Sequence, residues 1–214
     1  MNNDMNKTVI DAFTWRRAVK VFNTSKKVSD DDLATILEAG RLAPSSNGTE
    51  PWTFVMVTDP TVREQLVGAA YGQRQVADAS HLIVITRRTD SQNIAPEVIA
   101  RAAHAQGKSP AELDGYLQSV MGSVMGKPEG PVRDGWLAAQ TYIPLGMMMA
   151  AASMIGVDNA GMEGFENAKV DKILGLPEKH LTSVTFMVLG YRGEDAWSSR
   201  PKVRQPIEEV VIKV

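Results

Sequence analysis

The 214-residue sequence contains no cysteine and only three histidines. Without cysteine, the chain has no disulfide, no thiolate nucleophile and no cysteine-ligated metal. His81, His104 and His180 lie far apart and form no pair at helical spacing, so we do not expect a zinc site. The amino-terminal residues MNNDMNK lack an apolar signal segment, and we therefore expect a cytoplasmic protein.

An excess of basic charge and the common phosphate-binding fingerprints are also missing. The formal net charge is -2, whereas nucleic-acid binding needs an excess of positive charge, so we expect no nucleic-acid partner. Neither the glycine pattern of a dinucleotide-binding fold nor that of a P-loop occurs. Positive charge at any anion site must therefore come from side chains.

One long, mostly apolar segment, WLAAQTYIPLGMMMAAASMIG at residues 136–156, approaches the roughly 20 residues that a membrane-spanning helix needs. Polar residues and Pro144 interrupt it, and no basic cluster flanks it. A helix rich in Ala, Gly and Met, apolar on nearly all sides, favours a protein core or a large subunit interface. We therefore expect no membrane partner.

The remaining pattern indicates one α+β domain over residues 1–214, because no Pro/Gly/Ser-rich linker divides the chain. Strand patterns occupy residues 52–59, 80–87 and 181–191. Helix-start signals stand at Ser29, at Asp59-Pro60 and at a capping box formed by Ser109, Pro110 and Glu112. Helices and strands alternate without an even βαβ repeat, which favours an α+β sandwich over a doubly wound sheet.

Two basic clusters lie near the ends of the chain. The first comprises Arg16, Arg17 and Lys20, and the second Arg200, Lys202 and Arg204. The first cluster stands where the opening helix is expected to give way to extended chain, near Ala18. In an extended segment alternate residues share a face, so Lys202 and Arg204 can point the same way. Each cluster alone is typical of a solvated surface. The functional alternative is that the cations of a cluster bind an anion between them.

A run of small and polar residues, Ser45-Ser46-Asn47-Gly48, separates a helix pattern from the strand pattern at 52–59. Such a run is either an ordinary connection or a binding loop, because hydroxyls and a glycine backbone can approach a polar ligand closely.

Taken together, RRAVKVF, APSSNGTEPWTFVMVTD, DASHLIVI, GMEGF, LPEKHLTSVTFMVLGYR and RPKVRQPIEEVV resemble the FMN-dependent nitroreductase family in order and spacing. The likeness runs from about Thr14 to the carboxyl terminus and is weakest between Ser91 and Arg133. It implies a mixed central sheet wrapped by helices and an obligate interleaved homodimer with FMN in the interface. Residues 91–133 would be a variable helical excursion over the active site, and residues 198–214 an arm that crosses to the partner subunit.

The resemblance also implies the site residues. Arg16, Arg17, Lys202 and Arg204 would meet the FMN phosphate and the ring edge, and Lys20 would lie near N1 of the flavin. Further cofactor-binding positions would be Ala18, Pro44, Ser45, Ser46, Gly48, Gly72, Gln75, Gly161 and Met162, with Met162 packed on the ring's far face. The loop at 44–46 would reach the flavin of the other subunit. The backbone N–H of Glu163 or Gly164 would bond flavin N5, the atom that accepts and donates hydride.

Several positions depart from the family's pattern. Ala18 replaces a frequent serine, Asn47 stands one position early, and Glu50 replaces a usual glutamine. Gly72 and Gln75 stand where related enzymes often have Asn and Lys. These differences concern the subgroup more than FMN binding.

The implied activity is that of an FMN-dependent NAD(P)H oxidoreductase. Hydride would pass from NADH or NADPH to N5 and then, in ping-pong order, to a nitroaromatic, a quinone or another small electrophile. One alternative is a specialised flavin enzyme on the same scaffold, such as a dehalogenase or an enzyme that consumes reduced flavin. Another is a non-catalytic flavin-binding or storage protein.

Overall fold

The computed structural model describes residues 2–214, with side chains from Met5 onward. One sheet contains the strands β1 (Trp52–Met56), β2 (His81–Arg88), β3 (Asp158–Met162) and β4 (Leu181–Gly190), in the order β1-β2-β4-β3. Each neighbouring pair is antiparallel. The α+β class is confirmed. Among the described residues, the parallel component of the expected mixed sheet is a single bridge between Ala18 and Asn159.

Nine α-helices surround the sheet in the described part of the chain, and three helical segments begin where capping residues predict. The α-helices are α1 (Asn2–Trp15), α2 (Asp30–Arg41), α3 (Pro60–Ala69), α4 (Gln75–Asp78), α5 (Ile94–Gln106), α6 (Asp114–Met125), α7 (Pro131–Met154), α8 (Asn167–Leu174) and α9 (Ile207–Val210). Ser29 caps α2, Asp59 caps α3, and the capping box of Ser109 and Glu112 opens a 3-10 turn that leads into α6. These three predicted starts are confirmed.

The first helix is shorter at its end than expected. It stops at Trp15, before the predicted end near Ala18, because Ala18 pairs with Asn159 of β3 in an extended conformation. A tertiary contact thus overrides the local helical pattern. The basic residues Arg16 and Arg17 consequently leave the helix and turn toward the rest of the chain.

Both faces of the sheet are covered, as the alternation of side chains along β2 shows. Ile83 and Ile85 pack against the side of α2 and α7. Leu82 and Val84 join the opposite cluster, which includes residues of α3 and α8. A third cluster joins α5 and α6 to Leu137 of α7, so the segment 91–133 has a small core of its own.

The central helix α7 spans 24 residues and includes most of the apolar segment noted in the sequence. In the described part of the chain, no helix is long and apolar enough to cross a membrane. Of the run Met147–Ala152, Met148 and Ala152 are buried in the core between α2 and the sheet. The exposed face of α7 carries Val132, Gly135, Ala139, Ile143 and Gly146, spaced three or four residues apart.

Candidate functional site

A cavity of about 430 Å³ lies between the end of α1 and the carboxyl-terminal segment. Its lining residues are Arg16, Arg17, Ala18, Trp197, Arg200, Pro201, Lys202, Val203 and Arg204. The Lys202 ammonium donates a hydrogen bond to the carbonyl of Phe13, which is 189 positions away in sequence. The structure therefore brings both basic clusters of the sequence together, with the exception of Lys20.

The five cations of this cavity have no carboxylate within 4.0 Å among the described residues. They are Arg16, Arg17, Arg200, Lys202 and Arg204. Burial lowers the pKa of Arg16, and the charges of Arg204 and Arg17 lower it further. Burial also lowers the pKa of Lys202, as do the three arginines. The cavity therefore holds positive charge that the chain itself does not neutralise.

The side chain of Arg17 provides a test of whether this cavity suits an anion. One terminal nitrogen of Arg17 donates to the carbonyl of Thr14 at 2.6 Å, which fixes the guanidinium. Its Nε is buried and has no acceptor among the described residues. Buried donors are rarely left unpaired, and phosphate oxygens pair well with guanidinium groups. The residues present therefore fit a phosphate.

Strand β3 connects this cavity to a second feature of the site. Ala18, which lines the cavity, pairs with Asn159 near the start of β3. An ion pair between Arg192 and the buried Asp158 fixes the same end of the strand. The turn Glu163-Gly164 follows the other end. At a rise of about 3.3 Å per residue, Asn159 and Glu163 are separated by about 13 Å.

The Glu163-Gly164 turn carries free backbone donors. Among the described residues, no oxygen accepts a hydrogen bond from the N–H of Glu163 or of Gly164. Both carbonyls are occupied, because Phe165 donates to Glu163 O at 2.9 Å and the Gln73 amide to Gly164 O at 2.7 Å. The Tyr142 hydroxyl donates to Glu163 Oε1 at 2.6 Å. The turn therefore presents two fixed N–H groups to a ligand.

The loop at residues 45–50 has a fixed conformation, which hydrogen bonds within the loop and to two helices hold in place. Asn47, Gly48 and Glu50 have positive φ values of 54°, 62° and 41°. For Asn47 and Glu50, which carry side chains, strain of this kind needs support from the surroundings. The support comes from Ser45 Oγ, which accepts from Glu50 N at 2.8 Å, and from two helices. Gln140 Oε1 of α7 accepts from Ser46 N at 2.8 Å. The Tyr116 hydroxyl of α6 donates to Asn47 O at 3.1 Å.

The loop does not line the cation cavity of its own chain. Pro44, Ser46 and Gly48 are exposed, and Ser45 is half-buried. Ser45 Oγ and Ser46 N are engaged in the contacts that hold the loop, but the exposed atoms of these residues remain accessible to a ligand held elsewhere.

Other residues named from the sequence lie in different surroundings. Lys20 is exposed outside the cavity, and its backbone N–H donates to Asp195 at 2.8 Å. Gln75 and Met162 are 6% and 5% exposed, so the Met162 side chain packs in the core. Gly161 is exposed and packs beside Leu145 and Met149. Gly72 takes a positive φ of 77°, as its lack of a side chain allows.

Sequence reasoning missed Gln73 and Tyr142, the two side chains that hold the Glu163-Gly164 turn. Gly164 is matched to Gln73, since a Cβ at this glycine would lie 2.8 Å from Gln73 Nε2. No spacing pattern could have indicated either residue, because each acts on a segment that is distant in sequence.

The chain is similar to known proteins over nearly its whole length. The family model described as "Nitroreductase family" matches residues 13–191. The Bacillus subtilis protein named "Putative NAD(P)H nitroreductase YfkO" is 39% identical over 221 residues, covering 97% of this chain and 98% of that protein. A Staphylococcus haemolyticus protein, also named as a "Putative NAD(P)H nitroreductase", is 35% identical over 218 residues and covers 98% of both chains.

Solved structures share the fold. The crystal structure of the "putative nitroreductase ydfN" from Bacillus subtilis superimposes with a TM-score of 0.84 over 100% of both chains, at 22% identity. A "putative nitroreductase in complex with FMN" from Exiguobacterium sibiricum has a TM-score of 0.80, with 96% of this chain and 97% of that chain covered, at 22% identity.

Proposed function

Because the chain belongs to the nitroreductase family, we propose that it is an FMN-dependent NAD(P)H oxidoreductase acting on nitroaromatics, quinones or similar small electrophiles. The cavity with five unneutralised cations and the unpaired Arg17 Nε carries this proposal. Two kinds of similarity support it. A protein of the same fold is in complex with FMN, and relatives at 35% and 39% identity are named for NAD(P)H-dependent nitroreduction.

The chain's own residues would hold the two ends of the cofactor. Arg16, Arg17, Lys202 and Arg204 would bind the phosphate through charge-assisted hydrogen bonds. The free N–H groups of Glu163 and Gly164 would donate to the reactive ring nitrogen. The bound cofactor would supply hydride chemistry at that ring nitrogen, and NADH or NADPH and the second substrate would use the site in turn.

In this proposal the protein contributes position and charge and no acid or base of its own. The cations fix the phosphate, and the turn after β3 orients the ring. We place the enzyme in the cytoplasm, where NADH and NADPH are supplied.

We further propose an obligate interleaved homodimer, with the loop at 44–48 reaching the FMN of the partner subunit. The exposed face of α7 supports this, because small and apolar residues at helical spacing let another helix approach closely. Strand β1 is at an edge of the sheet. An apolar depression beside it includes Leu37, Trp52 and Phe54. Proteins commonly cover an edge strand with another segment, and this depression offers space for one.

The carboxyl-terminal segment is suited to cover the β1 edge of a partner subunit. Residues 211–214 follow α9 without regular secondary structure and are exposed, with Ile212 82% exposed. An arm of this kind can add a strand to the sheet of another subunit. The helix α5 contacts the 45–50 loop through Arg101 and the helix α6 through Tyr116, and both helices would cover the active site.

The first experiment is to purify the protein, release its chromophore with acid and identify it by chromatography. We expect FMN and not FAD. Adding NADH or NADPH should then bleach the yellow protein, and a nitroaromatic or a quinone should restore the colour. A flavin that keeps its colour would indicate a storage protein, and FAD or no flavin after reconstitution would refute the proposal.

A further inference from the structure

The Glu163 carboxylate has a partner that the proposed chemistry does not itself require. Tyr142, on the exposed face of α7, donates its hydroxyl proton to Glu163 Oε1 at 2.6 Å. Neither side chain is part of a core cluster, and Tyr142 is 40% exposed. A hydrogen bond to a charged acceptor is stronger than a neutral one. The contact therefore ties α7 to the turn that follows β3.

The turn is held on both sides of its free N–H groups. Phe165 N donates to Glu163 O, and because a peptide unit is planar, this bond also fixes the N–H of Gly164. Gln73 holds the carbonyl of Gly164 from the opposite side. Tyr142 holds the side chain of Glu163, the residue that precedes these two peptide planes. Without this contact, the Glu163 side chain would have no hydrogen-bond partner among the described residues.

For the flavin ring, the position of the Glu163 charge matters as much as the position of the two backbone N–H groups. A carboxylate that swings toward a flavin ring opposes the negative charge that the ring gains on reduction. Burial, followed by the hydrogen bond from the hydroxyl to Glu163, raises the pKa of Tyr142 to about 12. The hydroxyl consequently keeps its proton at neutral pH and remains a donor to the carboxylate.

We propose that Tyr142 is a positioning residue for hydride transfer. Through its hydrogen bond to Glu163 it orients the two backbone N–H groups toward the reactive ring nitrogen and holds the carboxylate away from the ring. This inference rests on the proposed function, in which those N–H groups meet FMN.

The substitution Tyr142→Phe tests this role, because it keeps the ring and removes only the hydroxyl. In stopped-flow measurements we expect the rate constant of flavin reduction by NADPH or NADH to fall on the order of tenfold. The midpoint potential of the bound FMN should shift to a more negative value. The dissociation constant of FMN and the melting temperature should stay close to those of the wild type, since the phosphate site is at the other end of β3.

Tyr191→Phe is the matched control. Tyr191 is part-buried against the core beside α7, and its hydroxyl has no hydrogen-bond partner among the described residues. We expect wild-type rates and potential from this variant. An equal loss in both variants would mean that any tyrosine hydroxyl in this region matters, and would overturn the specific role of Tyr142.

A double-mutant cycle with Glu163→Ala decides whether Tyr142 acts through Glu163. Once the carboxylate is gone, Tyr142→Phe should cause no further loss, whereas independent effects would multiply. Glu163→Gln keeps an acceptor oxygen and should retain the orientation of the turn. Multiplying losses, or an unchanged rate and potential in Tyr142→Phe, would overturn the inference.

The potential separates this inference from the proposed function, because it can be measured by chemical reduction without NADH or NADPH. If the wild type binds FMN and Tyr142→Phe has no effect, the inference alone fails. If the wild type binds no FMN, the proposed function fails and the inference fails with it.

Discussion

Among the described residues Lys202 has no carboxylate partner, and this affects the pH at which its ammonium group loses a proton. In the chain without a ligand, burial and the three nearby arginines lower the pKa of Lys202. A bound phosphate would stabilise the ammonium form and raise that pKa. The affinity for phosphate is then at its full value below the pKa of the free chain, and it falls as the pH rises from that pKa toward the higher pKa of the complex.

We therefore predict that the affinity of the apoprotein for FMN weakens in the alkaline range. The decline should begin below pH 10.5, the ordinary pKa of lysine, and should not exceed about tenfold per pH unit for one proton. Quenching of FMN fluorescence on binding, measured from neutral to alkaline pH, gives the dissociation constants.

Lys202→Arg is the control for this titration, because a guanidinium stays charged over the same range. Its affinity should remain nearly constant where that of the wild type falls. The same decline in both proteins would assign the pH dependence to the flavin or to another group.

The residues of the site differ in how far the sequence could predict them. The order of several motifs pointed to Arg16, Arg17, Lys202 and Arg204, and the structure does bring these four together. Spacing alone could not have paired the two ends of the chain. Tyr142 and Gln73 escaped prediction because a single hydrogen bond to a distant turn leaves no pattern in the local sequence.

The packing of helix α2 against helix α7 leads to a prediction about the stability of the protein. Gly40 lies in the last turn of α2, and a Cβ there would stand 2.7 Å from Met148 Sδ and 3.0 Å from Phe54 Cε2. Because Met148 is fully buried, it has little room to move. We expect Gly40→Ala to lower the free energy of unfolding by about 1–3 kcal/mol through overpacking.

Gly68→Ala is the matched helical control, since a Cβ at Gly68 of α3 meets no atom within 4 Å. Alanine is favoured over glycine in a helix, so this variant should gain about 0.5–1 kcal/mol. Urea unfolding of both variants at one protein concentration and one FMN concentration gives the comparison. Destabilisation of equal size in both would remove the steric explanation for Gly40.

Elements were predictable where local chemistry decides them. The capped starts of α2 and α3 and the alternating strands β1, β2 and β4 follow from caps and apolar residues. Strand β3 has the sequence DNAGM, whose Asp, Asn and Gly have low strand propensity. Its pairing with β4 and its packing against α7 make it a strand.

In the proposed dimer, each active site is built from residues of both subunits. We predict that two inactive variants restore activity when they are mixed, unfolded and refolded together. Ser46→Trp places a bulky group on the exposed side of the loop, and Ser46 is chosen because the hydroxyl of Ser45 holds the loop closed. Arg204→Glu repels the phosphate.

In a mixed dimer one site would collect both defects and the other would have neither. Recovered activity should approach about a quarter of the wild type, because half of the randomly formed dimers are mixed and each has one intact site. If the loop serves the FMN of its own subunit, every site in the mixed dimer keeps one defect. Mass spectrometry must show that subunits have exchanged before an absence of recovery counts against the shared site.

The cation cavity has a consequence for limited proteolysis. It draws two of its cations, Arg16 and Arg17, from the segment after α1, and three, Arg200, Lys202 and Arg204, from the segment after β4. A chain clipped by a protease between β4 and Trp197 would keep all four strands and the α7 core, but it would lack three of the five cations. Such a chain would lose its colour before its fold.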